Sequence, residues 1–220
     1  MAGLNPNIAR GIRRKIEAEY RLRRYRLGWR FLLGPEAAIT TSPVAVVTLN
    51  PGGAVYEKPR WCPRKGSAYV TECWKGKRPG EEALQCEMRK LFACLGYDAE
   101  EIFAAYFVPF RSRSWSALPE AEAAEAFSLK IWKELLPHCS ARLWIAMGQP
   151  VARMLKQLLQ TDQLVSEPSG WGNVKLRIYK RTDSDLTLIC IPHLSRYRLF
   201  SGKKSGPVVR EFFAAQRREK

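Results

Sequence analysis

Apolar residues follow two rhythms along this chain. Four short runs are apolar at nearly every position: Val44–Leu49, Ile102–Val108, Leu143–Met147 and Leu186–Ile191. Runs of that length, rich in β-branched or aromatic residues, read as strands buried on both faces. Between them, apolar positions recur every three or four residues. Leu84, Met88, Leu91 and Leu95 mark a helix over 81–95 that Gly96 stops. Residues 119–136 predict a second helix, with Pro119 suited to its first turn, and 151–159 a third. Pro207 opens a last helix that runs through Phe212 and Phe213 into a charged tail. Ahead of the first strand, Ile12, Ile16, Tyr20 and Leu27 predict a helix over about 8–31, ended by Gly34-Pro35. Residues 163–179 read as a loop with a short hairpin near Trp171-Gly172-Asn173. Residues 51–80 read as one long loop holding Tyr56, Trp61, Tyr69 and Trp74. A loop of that length in a compact domain is functional or disordered, and four aromatics argue for the former.

Strand and helix alternate four times. That order predicts an α/β fold: a three-layer α/β/α sandwich on a four-stranded parallel sheet, with right-handed crossovers. The chain divides into a basic helical extension over 1–40 and an α/β domain over 41–220. Four parallel strands end at one edge, and polar turns follow each of them: Asn50-Pro51-Gly52-Gly53, 109–113, Gly148-Gln149-Pro150 and 193–196. Open α/β sheets build their sites at that edge.

Charge adds a partner to this picture. Of 220 residues, 37 are Lys or Arg and 21 are Asp or Glu, a formal +16. Such an excess makes nucleic acid the expected partner, ahead of an anionic membrane surface. Nine arginines and lysines fall within 10–30 alone. No apolar run approaches the roughly 18 residues of a membrane span, and Arg10, Arg13, Arg14 and Lys15 leave no room for a leader's apolar segment. A soluble, cytoplasmic, nucleoid-associated monomer is expected. The cysteines Cys62, Cys73, Cys86, Cys94, Cys139 and Cys190 include no C-x-x-C pair, and His138 and His193 are the two histidines. No metal site is expected. Cys62, Cys73, Cys86 and Cys94 supply the four thiolates an iron–sulfur cluster needs, but their wide, irregular intervals argue against one.

Two of the strand ends carry motifs. Thr48-Leu49-Asn50-Pro51-Gly52 follows the first strand, and Ile191-Pro192-His193-Leu194-Ser195-Arg196-Tyr197 follows the last. In order and spacing these resemble the two motifs of the uracil-DNA glycosylase superfamily, the first in the Asn-Pro-Gly form of its mismatch-specific and thymine members. Leu194 stands where that family usually has Pro. The third strand, turning at Gly148 straight into a helix, resembles the family's phosphate-holding loop. The likeness spans about 44–213 and rests on short motifs. It implies a monofunctional DNA glycosylase that hydrolyses an N-glycosidic bond and leaves an abasic site.

By that resemblance Asn50 holds and polarises water beneath the sugar, and His193 hydrogen-bonds the base as negative charge builds on it. Arg196 and Tyr197 are the implied wedge. Tyr56, Tyr69 or Trp74 stacks on the extruded base. Gly52, Gly53, Gly148, Gln149, Ser195, Lys203 and Lys204 grip phosphates. Neither motif contains a Lys placed for a Schiff base, so strand cleavage is not expected. One departure matters: family members often carry an Asn after the second strand to read uracil, and 105–112 holds none. A pocket of Tyr106, Phe107 and Arg111 then reads uracil by other groups, or reads another base such as glucosylated hydroxymethylcytosine in phage DNA. A non-catalytic nucleic-acid-binding module on the same fold is the remaining alternative. No G-x-G-x-x-G or G-x-x-x-x-G-K-[ST] points to a nucleotide-binding enzyme.

Overall fold

A computed structural model describes residues 4–218. In chain order it contains α1 (Pro6–Leu22), α2 (Ala38–Thr41), β1 (Val44–Thr48), α3 (Ala68–Thr71), α4 (Ala83–Leu95), β2 (Phe103–Tyr106), α5 (Ala121–Leu135), β3 (Leu143–Met147), α6 (Gln149–Leu159), β4 (Gln163–Pro168), β5 (Lys175–Lys180), β6 (Thr187–Ile191) and α7 (Ser205–Arg218).

These strands form one sheet of six, in the order β2-β1-β3-β6-β5-β4. The first four are parallel, and β5 and β4 are antiparallel additions beyond β6. The expectation of four strands is thus corrected to six. Residues 163–179, read from sequence as mostly loop, supply the extra hairpin. Lys175-Leu176-Arg177-Ile178 alternates as a strand with one wet face should, and Leu176 and Ile178 are buried. Glu167 and Pro168 hid its partner, because both residue types are depleted in strands.

Alternation along β1 sorts the core into two layers. Ala45 and Val47 join Ala105, Trp144 and Cys190 beneath α1, α5 and α6. Val44 and Val46 join Ala104, Ile145 and Ile189 beneath α4 and α7. Trp132 of α5 centres the first layer, stacked on Phe107 at 5.5 Å with its indole N–H donated to the Phe107 carbonyl at 2.9 Å. In the second, α4 begins with a reciprocal cap between Glu82 and Gln85 and ends at Gly96 with φ 77°. That left-handed turn favours glycine.

The expected helix over 8–31 stops at Leu22. Arg24 adopts φ 54° and Gly28 φ 91°, and a side chain at Gly28 would collide with the Glu57 carbonyl. Beyond this turn the chain is extended. Arg30 N–H donates to the Pro109 carbonyl at 2.8 Å, Leu32 N–H to Trp61 at 2.8 Å, and Tyr106 N–H to Phe31 at 2.8 Å. Ile12 and Ile16 of α1 are fully buried in the first layer. Among the described residues no helix is long and apolar enough to cross a membrane.

Ile16→Ala is expected to lose about 2–5 kcal/mol, the range for truncating a buried aliphatic side chain. Urea unfolding should show an unchanged slope and a lower midpoint; an unchanged midpoint would mean that α1 does not contribute to the core.

Candidate functional site

Beyond their last sheet pairings, β1 and β2 stay zipped together. Phe107 N–H donates to Thr48, Val108 to Leu49, Ser112 to Pro51, and Gly53 to Ser112, at 2.7–3.1 Å. This ladder carries 108–112 alongside 48–53 and fixes the Asn50 side chain. Its Nδ2 faces three oxygens: Ser112 Oγ at 2.8 Å, the Phe110 carbonyl at 3.2 Å and the Pro51 carbonyl at 3.4 Å. Ser112 Oγ spends its own proton on the Ser114 carbonyl at 2.8 Å, so it can only accept from Asn50. With the amide nitrogen so held, Asn50 Oδ1 accepts from no other described residue and is left as a free acceptor on a residue that lines the cavity.

His193 stands on the turn after β6. The Ser195 backbone N–H donates to His193 Nδ1 at 3.2 Å, and the Ser195 hydroxyl lies 2.8 Å from the same nitrogen. A nitrogen that accepts a backbone N–H carries no proton, so in the neutral ring the proton is on Nε2. That atom lies 3.2 Å from Thr48 Oγ1, to which it donates. Burial, and then the Arg196 charge, push the imidazole below its ordinary 6.5. The site thus presents a neutral histidine with a directed N–H.

Asn50 and His193 open onto one cavity of about 530 Å³. Tyr69, Trp74, Tyr106, Arg111, Gly52, Gly53 and Ser195, all singled out from sequence, also line it. Tyr69 is buried and meets Trp74 edge-on at 5.5 Å. Arg111 pairs with Glu57 at 2.6 Å and donates to the Val55 carbonyl at 3.2 Å. Gly53, at φ 138°, leaves the space its guanidinium occupies, which a side chain there would overlap.

Other expected residues lie elsewhere. Phe107 points into the core against Trp132 and does not line the cavity. Tyr56 is 57% exposed and outside the cavity lining. Gly148 and Gln149 line a second cavity of about 420 Å³ beside β5. Arg196 is exposed, Tyr197 packs edge-on to Trp171 at 6.1 Å, and Lys203 and Lys204 are exposed ahead of α7. Leu194 is fully buried in the core.

Sequence reasoning missed one wall of the main cavity. Arg30, read from sequence as one more cation of the basic helix over 8–31, is 7% exposed and lines it. It makes two 2.7 Å hydrogen bonds to Glu72, which also accepts from Arg60 and from the Trp74 indole. Burial raises the Glu72 carboxyl, but the Arg30 bonds and charge outweigh it, so the group titrates below its ordinary range. Lys75 and Glu82, paired at 2.8 Å, and Arg113 complete the polar lining. Thr48 also escaped notice. Its signal was a lone hydroxyl at the end of an apolar strand, two residues before Asn50.

The Tyr69 and Tyr106 hydroxyls make no hydrogen bond to another described residue, and burial raises the pKa of both. Both remain neutral O–H groups able to donate or accept at the cavity wall. Among the described residues no three His, Cys, Asp or Glu side chains come together as metal ligands. Cys62, Cys73, Cys86 and Cys94 are free thiols.

An NMR titration should place His193 below 6.5. The folded state then binds fewer protons than the unfolded chain near that pH, so stability rises with pH there. This contribution is present above the unfolded value and is lost as pH falls through the folded one. His193→Gln should remove it; a His193 titration at or above 6.5 would contradict the half-buried neutral ring. No model of a known protein family matches the chain, and no curated protein matches it.

Proposed function

We propose that this protein is a monofunctional DNA glycosylase that extrudes a uracil or a modified pyrimidine and hydrolyses its N-glycosidic bond. The observation that carries the reading is the pairing of Asn50 with His193 across one cavity. One presents a fixed carbonyl acceptor and the other a fixed N–H donor.

Each suits one half of the reaction. As the bond between C1′ and the base nitrogen lengthens, its electrons leave with the base and the sugar becomes oxocarbenium-like. Asn50 Oδ1 accepts a hydrogen bond from water and aims its oxygen at C1′. The new C1′–O bond replaces the old one, and the water's surplus proton passes to solvent. A carbonyl is a poor base, yet an electron-poor sugar carbon needs little activation of its nucleophile. His193 Nε2–H exchanges Thr48 for the base and stabilises the charge building there. Such donors act strongly because they are oriented before the reaction begins. Extrusion of the base costs a few kcal/mol, and Trp74 with Tyr69 offers an aromatic wall to receive it.

Cavity size and polarity favour a second substrate for the same chemistry. A space of about 530 Å³ bordered by Arg30, Lys75, Glu82, Arg111 and Arg113 exceeds what a bare pyrimidine fills. That supports a base with a polar substituent, such as glucosylated hydroxymethylcytosine, and with it a role in defence against phage. Tyr69 and Tyr106 hydroxyls then take the place of the absent uracil-reading Asn.

The test is base release from labelled oligonucleotides carrying uracil, hypoxanthine, mismatched thymine or hydroxymethylcytosine, and from glucosylated phage DNA, with alkali to cut abasic sites. Asn50→Ala should abolish release. His193→Ala should slow it about 10²–10³-fold, the loss expected for one preorganised donor. Both variants should still bind DNA. Binding without abasic sites on any substrate would leave a non-catalytic module on this fold.

A further inference from the structure

The turn between β4 and β5 lies at the same sheet edge as the site. β5 runs antiparallel to β6 with Arg177 opposite Cys190, so Lys175 falls beside Pro192 and the turn projects past the end of β6. Trp171, on that turn, is 38% exposed. The ring is not exposed because the turn is loose. Ser169 donates its hydroxyl and its backbone N–H to the Val174 carbonyl at 2.7 and 3.1 Å, Val174 N–H donates to the Trp171 carbonyl, and Trp171 N–H donates to Ser169 Oγ at 3.2 Å. Gly170, at φ 73°, packs so closely on the loop before α7 that an added Cβ would lie 2.8 Å from the Ser205 Cα. A Cβ at Gly202 would lie 3.2 Å from the Trp171 ring. One edge of the indole rests on that loop, and Tyr197, four residues past His193, meets it edge-on. What remains is a braced aromatic surface open to solvent.

Cationic residues flank it in the chain and in the fold: Lys175 and Arg177 follow on β5 and line the cavity beside Gly148 and Pro192, and Arg196, Arg198, Lys203 and Lys204 belong to the segment between β6 and α7 against which the indole rests. Lys175, Arg177, Arg196, Arg198, Lys203 and Lys204 make no ion pair among the described residues. The acid of the hairpin, Glu167, lies on β4 opposite Leu176 and makes none either. A braced exposed aromatic on a turn whose neighbouring segments carry unpaired cations matches the requirements of a nucleic-acid strand, where phosphates meet charge and unstacked bases meet rings.

Resting on the glycosylase reading, we infer that the β4–β5 turn is a second DNA-contacting element, on which Trp171 stacks a base flanking the extruded nucleotide while Lys175 and Arg177 hold the adjoining backbone. The element belongs to the hairpin that extends the parallel sheet, and it is separate from the Asn50–His193 cavity.

Fluorescence anisotropy with single-stranded and duplex oligonucleotides, across a salt series, tests this with the full chain. Trp171→Ala should weaken single-strand binding about 5-fold or more, as lost stacking does, without changing the salt slope. Trp171→Phe should recover most of it. Lys175→Ala with Arg177→Ala should reduce that slope by about 1.4, at roughly 0.7 per phosphate contact on a single strand. Thermal melting shows whether each variant is folded; should Trp171→Ala not fold, Trp171→Lys is expected to lose stacking and steepen the salt slope. Wild-type affinity in folded Trp171→Ala, or no binding of either oligonucleotide by the wild-type chain, would overturn the inference. Abasic-site release is scored separately. Release without a Trp171 effect refutes the turn alone, and a Trp171 effect without release refutes the glycosylase reading alone.

Discussion

Burial of β1 on both faces is the constraint from which the site follows. All five residues of Val44–Thr48 are buried, with β2 on one side and β3 on the other. A strand so enclosed has one register and no freedom to slide, because a shift by one residue would move every side chain to the opposite layer. The parallel pairings then bring the ends of β1, β2, β3 and β6 to one edge. Pro51 has no N–H, yet its carbonyl accepts from Ser112 and Gly53 N–H donates to Ser112, so the ladder runs on past Asn50 and holds it from both sides. Asn50 is therefore placed by the core, and the cavity is built around a position already fixed.

Polar groups at that edge are held by similarly unambiguous partners. Three acceptors face the Asn50 amide nitrogen, and a backbone N–H faces His193 Nδ1. Each arrangement admits one orientation of its side chain. Arg30 and Glu72, locked by a two-pronged bond under half-buried Trp74, make a wall that is charged yet rigid. Orientation of this kind is what distinguishes a site that stabilises a developing charge from one that merely tolerates it. The +16 excess, by contrast, carries no such orientation, and net charge by itself does not choose among partners.

Much of this was legible in the residues. The four parallel strands announce themselves as apolar runs because both faces are buried, and Gly96 marks the end of α4 because a left-handed turn favours glycine there. Asn50 and His193 were legible as polar residues directly after such runs. What escaped were features decided by distant partners. Arg30 looks like one more basic residue until Glu72, 42 positions on, is brought to it. Phe107 was assigned to the pocket, but a residue next to a strand end faces either layer, and Trp132 on α5 decides which. The β4–β5 hairpin was obscured because one of its strands carries Pro168 and Glu167, whose acceptance depends on lying at the sheet's edge.

The extended segment after α1 has a consequence for the order in which the molecule can be assembled. Residues 29–33 are made well before the residues that pair with them, Trp61, Ala104, Tyr106 and Pro109. For the time it takes to synthesise about 75 further residues, roughly 4–15 s at bacterial-to-eukaryotic speeds, Trp29, Phe31 and Leu32 have no surface to settle on. The Arg30 guanidinium that forms a cavity wall likewise waits for Glu72, 42 positions further along, before its two-pronged bond can form.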